Sequence, residues 1–112
     1  MMDVPMFQNM LKMLQNCVTM CEQTINFAMH SPDVHARVQQ IQLLRDCCDI
    51  CILCMQLVSR NSRSMRNACK FCAYICEACA HECSRFSDQQ SQMCAQMCLD
   101  CARECRTMAS VS

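Results

Sequence analysis

Fifteen thiols give this chain its chemistry: Cys17, Cys21, Cys47, Cys48, Cys51, Cys54, Cys69, Cys72, Cys76, Cys79, Cys83, Cys94, Cys98, Cys101 and Cys105. A thiol can be a nucleophile, one half of a disulfide or a soft metal ligand, and spacing separates these roles. Most steps between neighbouring cysteines are three or four residues, the spacing that places side chains on one face of a helix. Thiols stacked on one helix face point the same way, a poor geometry for a disulfide. An odd count also forbids complete pairing. Metal ligation by clustered thiols is the chemistry left. The chain adds 12 methionines, whose thioethers are soft ligands too.

The elements that position these sulfurs read as four helices. In the first, Met6, Met10, Met13, Cys17, Cys21, Thr24 and Ala28 form a stripe, with Pro5 at the opening turn and an end near Met29. Ser31-Pro32-Asp33 breaks the chain and reads as the cap of a second helix carrying Val34, Val38, Ile41, Leu44, Cys47, Cys48, Cys51, Cys54, Met55 and Val58. Residues 59–64 form a polar turn. The third helix has the most regular stripe: Met65, Cys69, Cys72, Cys76, Cys79 and Cys83. Ser87-Asp88-Gln89-Gln90 has the spacing of a capping box, and Cys94, Cys98, Cys101, Cys105 and Met108 line the fourth helix. Four helices of ~20–28 residues with short turns predict an all-α fold, an antiparallel up-down-up-down bundle with a Cys-lined core, as one domain over 1–112.

In such a bundle every Cys stripe faces inward. Buried thiolates without counter-charge would be prohibitive, so the metal-free core holds neutral thiols that pack as small hydrophobes. A soft cation would displace their protons as it bound. A monovalent ion restores neutrality one thiolate at a time, and Cu(I) takes two thiolates in near-linear geometry. Its capacity would run from roughly seven ions, if thiolates are unshared, to about fifteen if all bridge. Zinc prefers closed four-ligand sites on loops or knuckles. A zinc or mixed-metal buffer is therefore one alternative. A thiol-based redox sensor is another, but it needs an exposed, activated thiol.

One end of the bundle would collect Met6, Met10, Met13, Met55, Met65 and Met108. That end is a candidate mouth for Cu(I), with Met6, Met10 and Met13 as weak ligands; core packing is the ordinary alternative. At the opposite end, Thr24 and Ala28 would meet Val38, Ile41 and Leu44 near Cys83 and Cys94 as an aliphatic plug. Cys48 sits toward the flank of its stripe. His81 reads as solvated surface, His30 and His35 as turn residues, and Glu77, Glu82, Asp100 and Glu104 as outward-facing.

The runs Cys47-Cys48-Asp49-Ile50-Cys51, Cys69 through Cys83 and Cys94 through Cys105 resemble the copper storage protein family over essentially the whole chain. The CxxCxxxCxxCxxxC run of the third helix is the most specific part. The resemblance implies a preformed four-helix bundle storing and detoxifying multiple Cu(I) ions in the cytosol. It also implies a homotetramer, for which Leu53, Phe71 and Ala78 are available. A copper chaperone is a candidate delivery partner. The chain departs from the family in keeping only Cys17 and Cys21 on its first helix. It also lacks the His often found before the fourth, where it has Arg85-Phe86-Ser87-Asp88.

Composition excludes other functions. Ten basic and ten acidic residues give zero formal charge, which offers nothing to nucleic acid or an anionic membrane. The absence of glycine removes phosphate loops and nucleophile elbows. No catalytic constellation is evident, so no enzyme is predicted. The opening Met1-Met2-Asp3-Val4-Pro5 lacks the pattern of a signal peptide, and unpaired thiols suit a reducing cytosol.

Overall fold

The structure, a computed structural model, describes residues 4–111. The extreme ends of the predicted 1–112 domain, including Met1-Met2-Asp3, lie outside the described residues. Four helices account for most of the chain: α1 (Val4–Met29), α2 (Val38–Ser59), α3 (Met65–Ser84) and α4 (Gln89–Val111), with one 3-10 turn at Val34–Arg37. Each helix packs against its sequence neighbours, and α1 closes the ring against α4. The result is an antiparallel up-down-up-down bundle of 47 × 19 × 17 Å. Among the described residues, no helix is long and apolar enough to cross a membrane.

Local chemistry explains where the helices stop. Without glycine, the turn after α2 uses Asn61 in the left-handed region, at φ 52°. This lets Ser62 N–H reach Leu57 O at 2.9 Å and Asn61 N–H reach Val58 O at 3.1 Å, satisfying carbonyls at the end of α2. Asn tolerates this conformation better than other non-glycine residues. At the end of α1 the Ser31 hydroxyl donates to Phe27 O at 2.8 Å.

Three expectations need correction here. Ser31 serves the end of α1, and α2 proper begins only at Val38, after the 3-10 turn. The N-cap of α4 is Asp88, whose carboxylate accepts Ser91 N–H at 2.7 Å, one residue later than the Ser87–Gln90 box. The expected aliphatic plug is also absent: Val38 is 57 % exposed and Ile41 only half-buried, while Arg37 and Gln40 turn inward. The reason is register. Positions 37, 40, 44, 47, 51, 54 and 58 step by three and four, so the α2 Cys stripe extends back through Gln40 and Arg37.

Candidate metal centre

All fifteen cysteines are buried and unpaired. Four helices contribute them, Cys48 excepted, to one continuous column of sulfur along the bundle axis. From the α1 C-terminal end inward, Cys21 Sγ lies 4.0 Å from Cys94 and 3.8 Å from Cys98. Cys17 follows, 3.9 Å from Cys47 and 4.0 Å from Cys98, and Cys47 is 3.6 Å from Cys76. Cys51 then bridges Cys76 at 3.9 Å and Cys72 at 3.7 Å, and Cys54 and Cys69 meet at 3.6 Å. Three groups have all their sulfurs within 4.8 Å of one another: Cys17, Cys21, Cys47 and Cys98; Cys17, Cys51, Cys76 and Cys101; and Cys54, Cys72 and Cys105. Cys17 belongs to two of them, so these are overlapping stretches of one ligand array.

Protonation follows from this packing. Cys21 is pushed well above the usual thiol range, first by its bonds to Cys17, Cys47 and Cys48 and then by burial. Cys83 is raised by Cys79 and Cys94 and then by burial, and Cys105 by Cys101 and its neighbours in the same way. Thiols that receive bonds are drawn the opposite way, as Cys72 is by Cys101 first. Protons therefore leave the column as a coupled set. Burial raises each of these thiols, so desolvation favours the neutral form and each bound cation must displace a proton.

Cys48 stands apart. Its thiol points toward Val18 O on α1 at 3.9 Å, and it belongs to none of the three sulfur groups. The methionine stripe on α1 also differs in register from the expected one. Met10 is buried, but Leu14 takes the next inward place, leaving Met13 half-buried on the flank beside Asn16 and Glu104. Met6 is half-buried, and Met65 and Met108 are buried at the same end. His30, His35 and His81 are exposed, with His30 Nδ1 at 2.8 Å from Asn26 O. Glu82 was expected to face outward but is buried, and its carboxylate accepts both hydrogen bonds from Arg85 Nη1.

The residues missed from sequence lie at the other end of the column. Arg37, 5 % exposed, donates to Asp33 at 2.8 Å, Asp88 at 2.9 Å, Gln40 Oε1 at 3.0 Å and Ser91 Oγ at 3.3 Å. Its guanidinium lies 4.3 Å from the Phe86 ring centroid and 5.5 Å from that of Phe27. Gln40, fully buried, donates its amide N–H to Ser91 Oγ at 2.9 Å and to Cys83 Sγ at 3.6 Å. Beside it, Gln90 donates to Thr24 Oγ1 at 3.0 Å. Burial alone would raise the Asp88 carboxyl, but Ser91 N–H, Arg37 and the Ser91 hydroxyl outweigh it and hold the group below its usual value. The signal for this cluster was the stripe itself, which passes through Arg37 and Gln40 at helical spacing.

Comparison with known proteins agrees with this geometry. Residues 4–110 match the copper storage protein family. A cysteine-rich protein of Bacillus subtilis (strain 168) is 35 % identical over 95 residues, 85 % of this chain and 88 % of that protein. Among solved structures, a Cu(I)-bound copper storage protein superposes with a TM-score of 0.89 at 32 % identity, covering 93 % of this chain and 98 % of its own. The apo form of copper storage protein 3 from Bacillus subtilis gives 0.86 at 32 % identity, covering 91 % and 97 %. A cytosolic copper storage protein from Streptomyces lividans shares the fold, with a TM-score of 0.92 at 22 % identity over 96 % of this chain and 95 % of that one. Matched over nearly its whole length and built around a column of buried thiols, the chain belongs to the copper storage protein family.

Proposed function

We propose that this bundle stores several Cu(I) ions on its core cysteines, acting as one preformed unit in the cytosol. The observation that carries this reading is the shared, unbroken column of sulfur, with Cys17 common to two groups. A zinc ion held by four thiolates leaves two negative charges in the core, a burial cost that a monovalent ion avoids. One Cu(I) per displaced proton leaves the core neutral, and bridging thiolates suit a continuous array. The Cu(I)-bound relative supports the same ion.

All fifteen cysteines are candidate ligands, with Cys48 peripheral. Met10, and at half-buried positions Met6 and Met13, would give weak thioether ligation at one end. The proposal assigns the chain no catalytic step. The exposed Leu53 and Phe71, with half-buried Ala78, offer surface for a homotetramer, and delivery would fall to a copper chaperone. Free thiols throughout the core support a reducing compartment.

The test is an anaerobic titration of the reduced protein with Cu(I) against a chromophoric chelator, with circular dichroism and proton release followed together. Fifteen thiols fill at most three unshared four-thiolate sites; uptake well above about four ions per chain is expected with helicity unchanged and protons released. Saturation at or below that number would end the copper reading.

A further inference from the structure

We infer that Gln40 is a positioning residue for Cys83, its amide locked so that one N–H points at the Cys83 sulfur. That bond holds Cys83 as an outer ligand of the column and stabilises it as a metal-bound thiolate. The role deepens the storage reading and rests on it, but the lock itself belongs to the metal-free protein.

Gln40 is fully buried, so each polar atom of its amide needs a partner. The two ends of that amide cannot be exchanged. The Arg37 guanidinium has only donors, so the atom facing Arg37 Nη1 at 3.0 Å must be the carbonyl oxygen, Oε1. The amide nitrogen then faces the other way. One of its hydrogens goes to Ser91 Oγ at 2.9 Å, which is free to accept because the Ser91 hydroxyl donates to Asp88 Oδ2 at 3.0 Å. The second is directed at Cys83 Sγ, 3.6 Å away. The relay from Arg37 through Gln40 thus runs in one direction and ends on sulfur.

Cys83 is the last cysteine of α3 and lies in none of the three close sulfur groups. Its sulfur neighbours are Cys79 and Cys94. With one side of the sulfur taken by Gln40, the lone pairs left for an ion face those two thiols. A neutral thiol accepts hydrogen bonds weakly, so the bond to Cys83 is the weakest of the relay in the metal-free protein. An ionised sulfur accepts far more strongly. A thiolate that binds one Cu(I) keeps part of the charge that a thiolate bridging two ions gives up. The Gln40 N–H meets that charge where no second ion does. Gln40 therefore interacts better with the loaded state than with the metal-free one, which is the condition for it to strengthen binding.

The lock is tested without metal, by NMR of the reduced full chain with isotope-labelled side-chain amides. Cys83→Ala should shift one of the two Gln40 amide protons and leave the other, bound to Ser91, nearly in place. The binding role is tested by Cu(I) competition against a chromophoric chelator, with circular dichroism checking that each variant stays helical. Gln40→Glu keeps an oxygen for Arg37 but has no N–H, and Gln40→Leu removes both. In each, the last ion retained should be held roughly tenfold or more less tightly, the range of a hydrogen bond to a charged group. In the loaded variants N-ethylmaleimide should reach Cys83 while Cys54, Cys72 and Cys105 stay protected; a merely structural role would expose all four together. A shift of both amide protons alike, or of neither, would overturn the lock. Wild-type affinity in Gln40→Glu, or equal labelling of the four thiols in both variants, would overturn the positioning role and leave storage intact. A wild type that withholds no Cu(I) from the chelator would overturn storage and the positioning role together, and the metal-free spectrum would still show the one-proton shift.

Discussion

The two ends of the bundle bury comparable side chains, Arg37 and Gln40 at one and Met10, Met65 and Met108 at the other, but different forces hold them. At the polar end each group has a named partner at a set distance, and among the described residues no buried side-chain N or O lacks one. Such an arrangement is stable only when complete, because removing one member exposes the desolvation penalty of the rest. At the methionine end, stability comes from filled volume, which tolerates a change of shape far better than a polar network tolerates a missing donor. The thiol column lies between them.

The largest expected effect therefore belongs to Arg37. Arg37→Met leaves Asp88, Gln40 Oε1 and Ser91 facing an apolar side chain, and breaking a buried ion pair in this way typically costs about 3–5 kcal/mol. Urea unfolding of the reduced apo protein, followed by circular dichroism, measures it. A loss below about 1 kcal/mol would place Arg37 with solvent-exposed ion pairs such as Arg106–Glu77 and erase the contrast between the ends.

Asp88 offers an intermediate effect that separates charge from capping. Asn caps helices about as well as Asp, so Asp88→Asn keeps the bond to Ser91 N–H while losing the ion pair with Arg37. The expected loss is about 1–2 kcal/mol at neutral pH, less than for a fully buried charged bond because the carboxylate is partly exposed. The sign of the pH dependence follows from the lowered folded-state value. The stabilisation is complete above the unfolded value of 3.8 and declines as pH falls from there through the still lower folded value. The wild-type advantage over Asp88→Asn should thus be constant from neutral pH to about pH 5 and close only in stronger acid. An advantage that began to shrink near pH 6 would point to a different group.

The same contrast explains what the sequence made legible. The four helices, their order and the inward Cys stripes follow from a single period of three and four, which dominates because every stripe carries the same residue type. Cys72, Cys76 and Cys79 could hardly be placed elsewhere. The polar end was hidden because Arg37 and Gln40 read as surface residues by type, and only their register on the α2 stripe marks them as inward. Their burial depends on partners more than 50 residues away, Asp88 and Ser91, and on the Phe86 ring, which no local pattern connects. Glu82 was misplaced for a different reason: it reads as surface by type, but Arg85, three residues on, makes its burial tolerable. Met13 was displaced by a smaller matter: a stripe that steps by four from Met10 reaches Leu14, and a step of three reaches Met13. Both satisfy the period, and in the structure it is Leu14 that is buried.

The smallest expected effect tests whether sulfur matters at the methionine end. Leucine nearly matches methionine in volume, so Met10→Leu should change stability by less than about 1.5 kcal/mol. It removes the thioether while leaving the cover in place. Slower Cu(I) uptake from a chelator, with the same final number of ions, is the expected outcome if Met10 hands the ion to the first thiols of the column. Uptake at the wild-type rate would assign Met10 to packing alone. The two ends would then differ in how firmly they close rather than in what they bind.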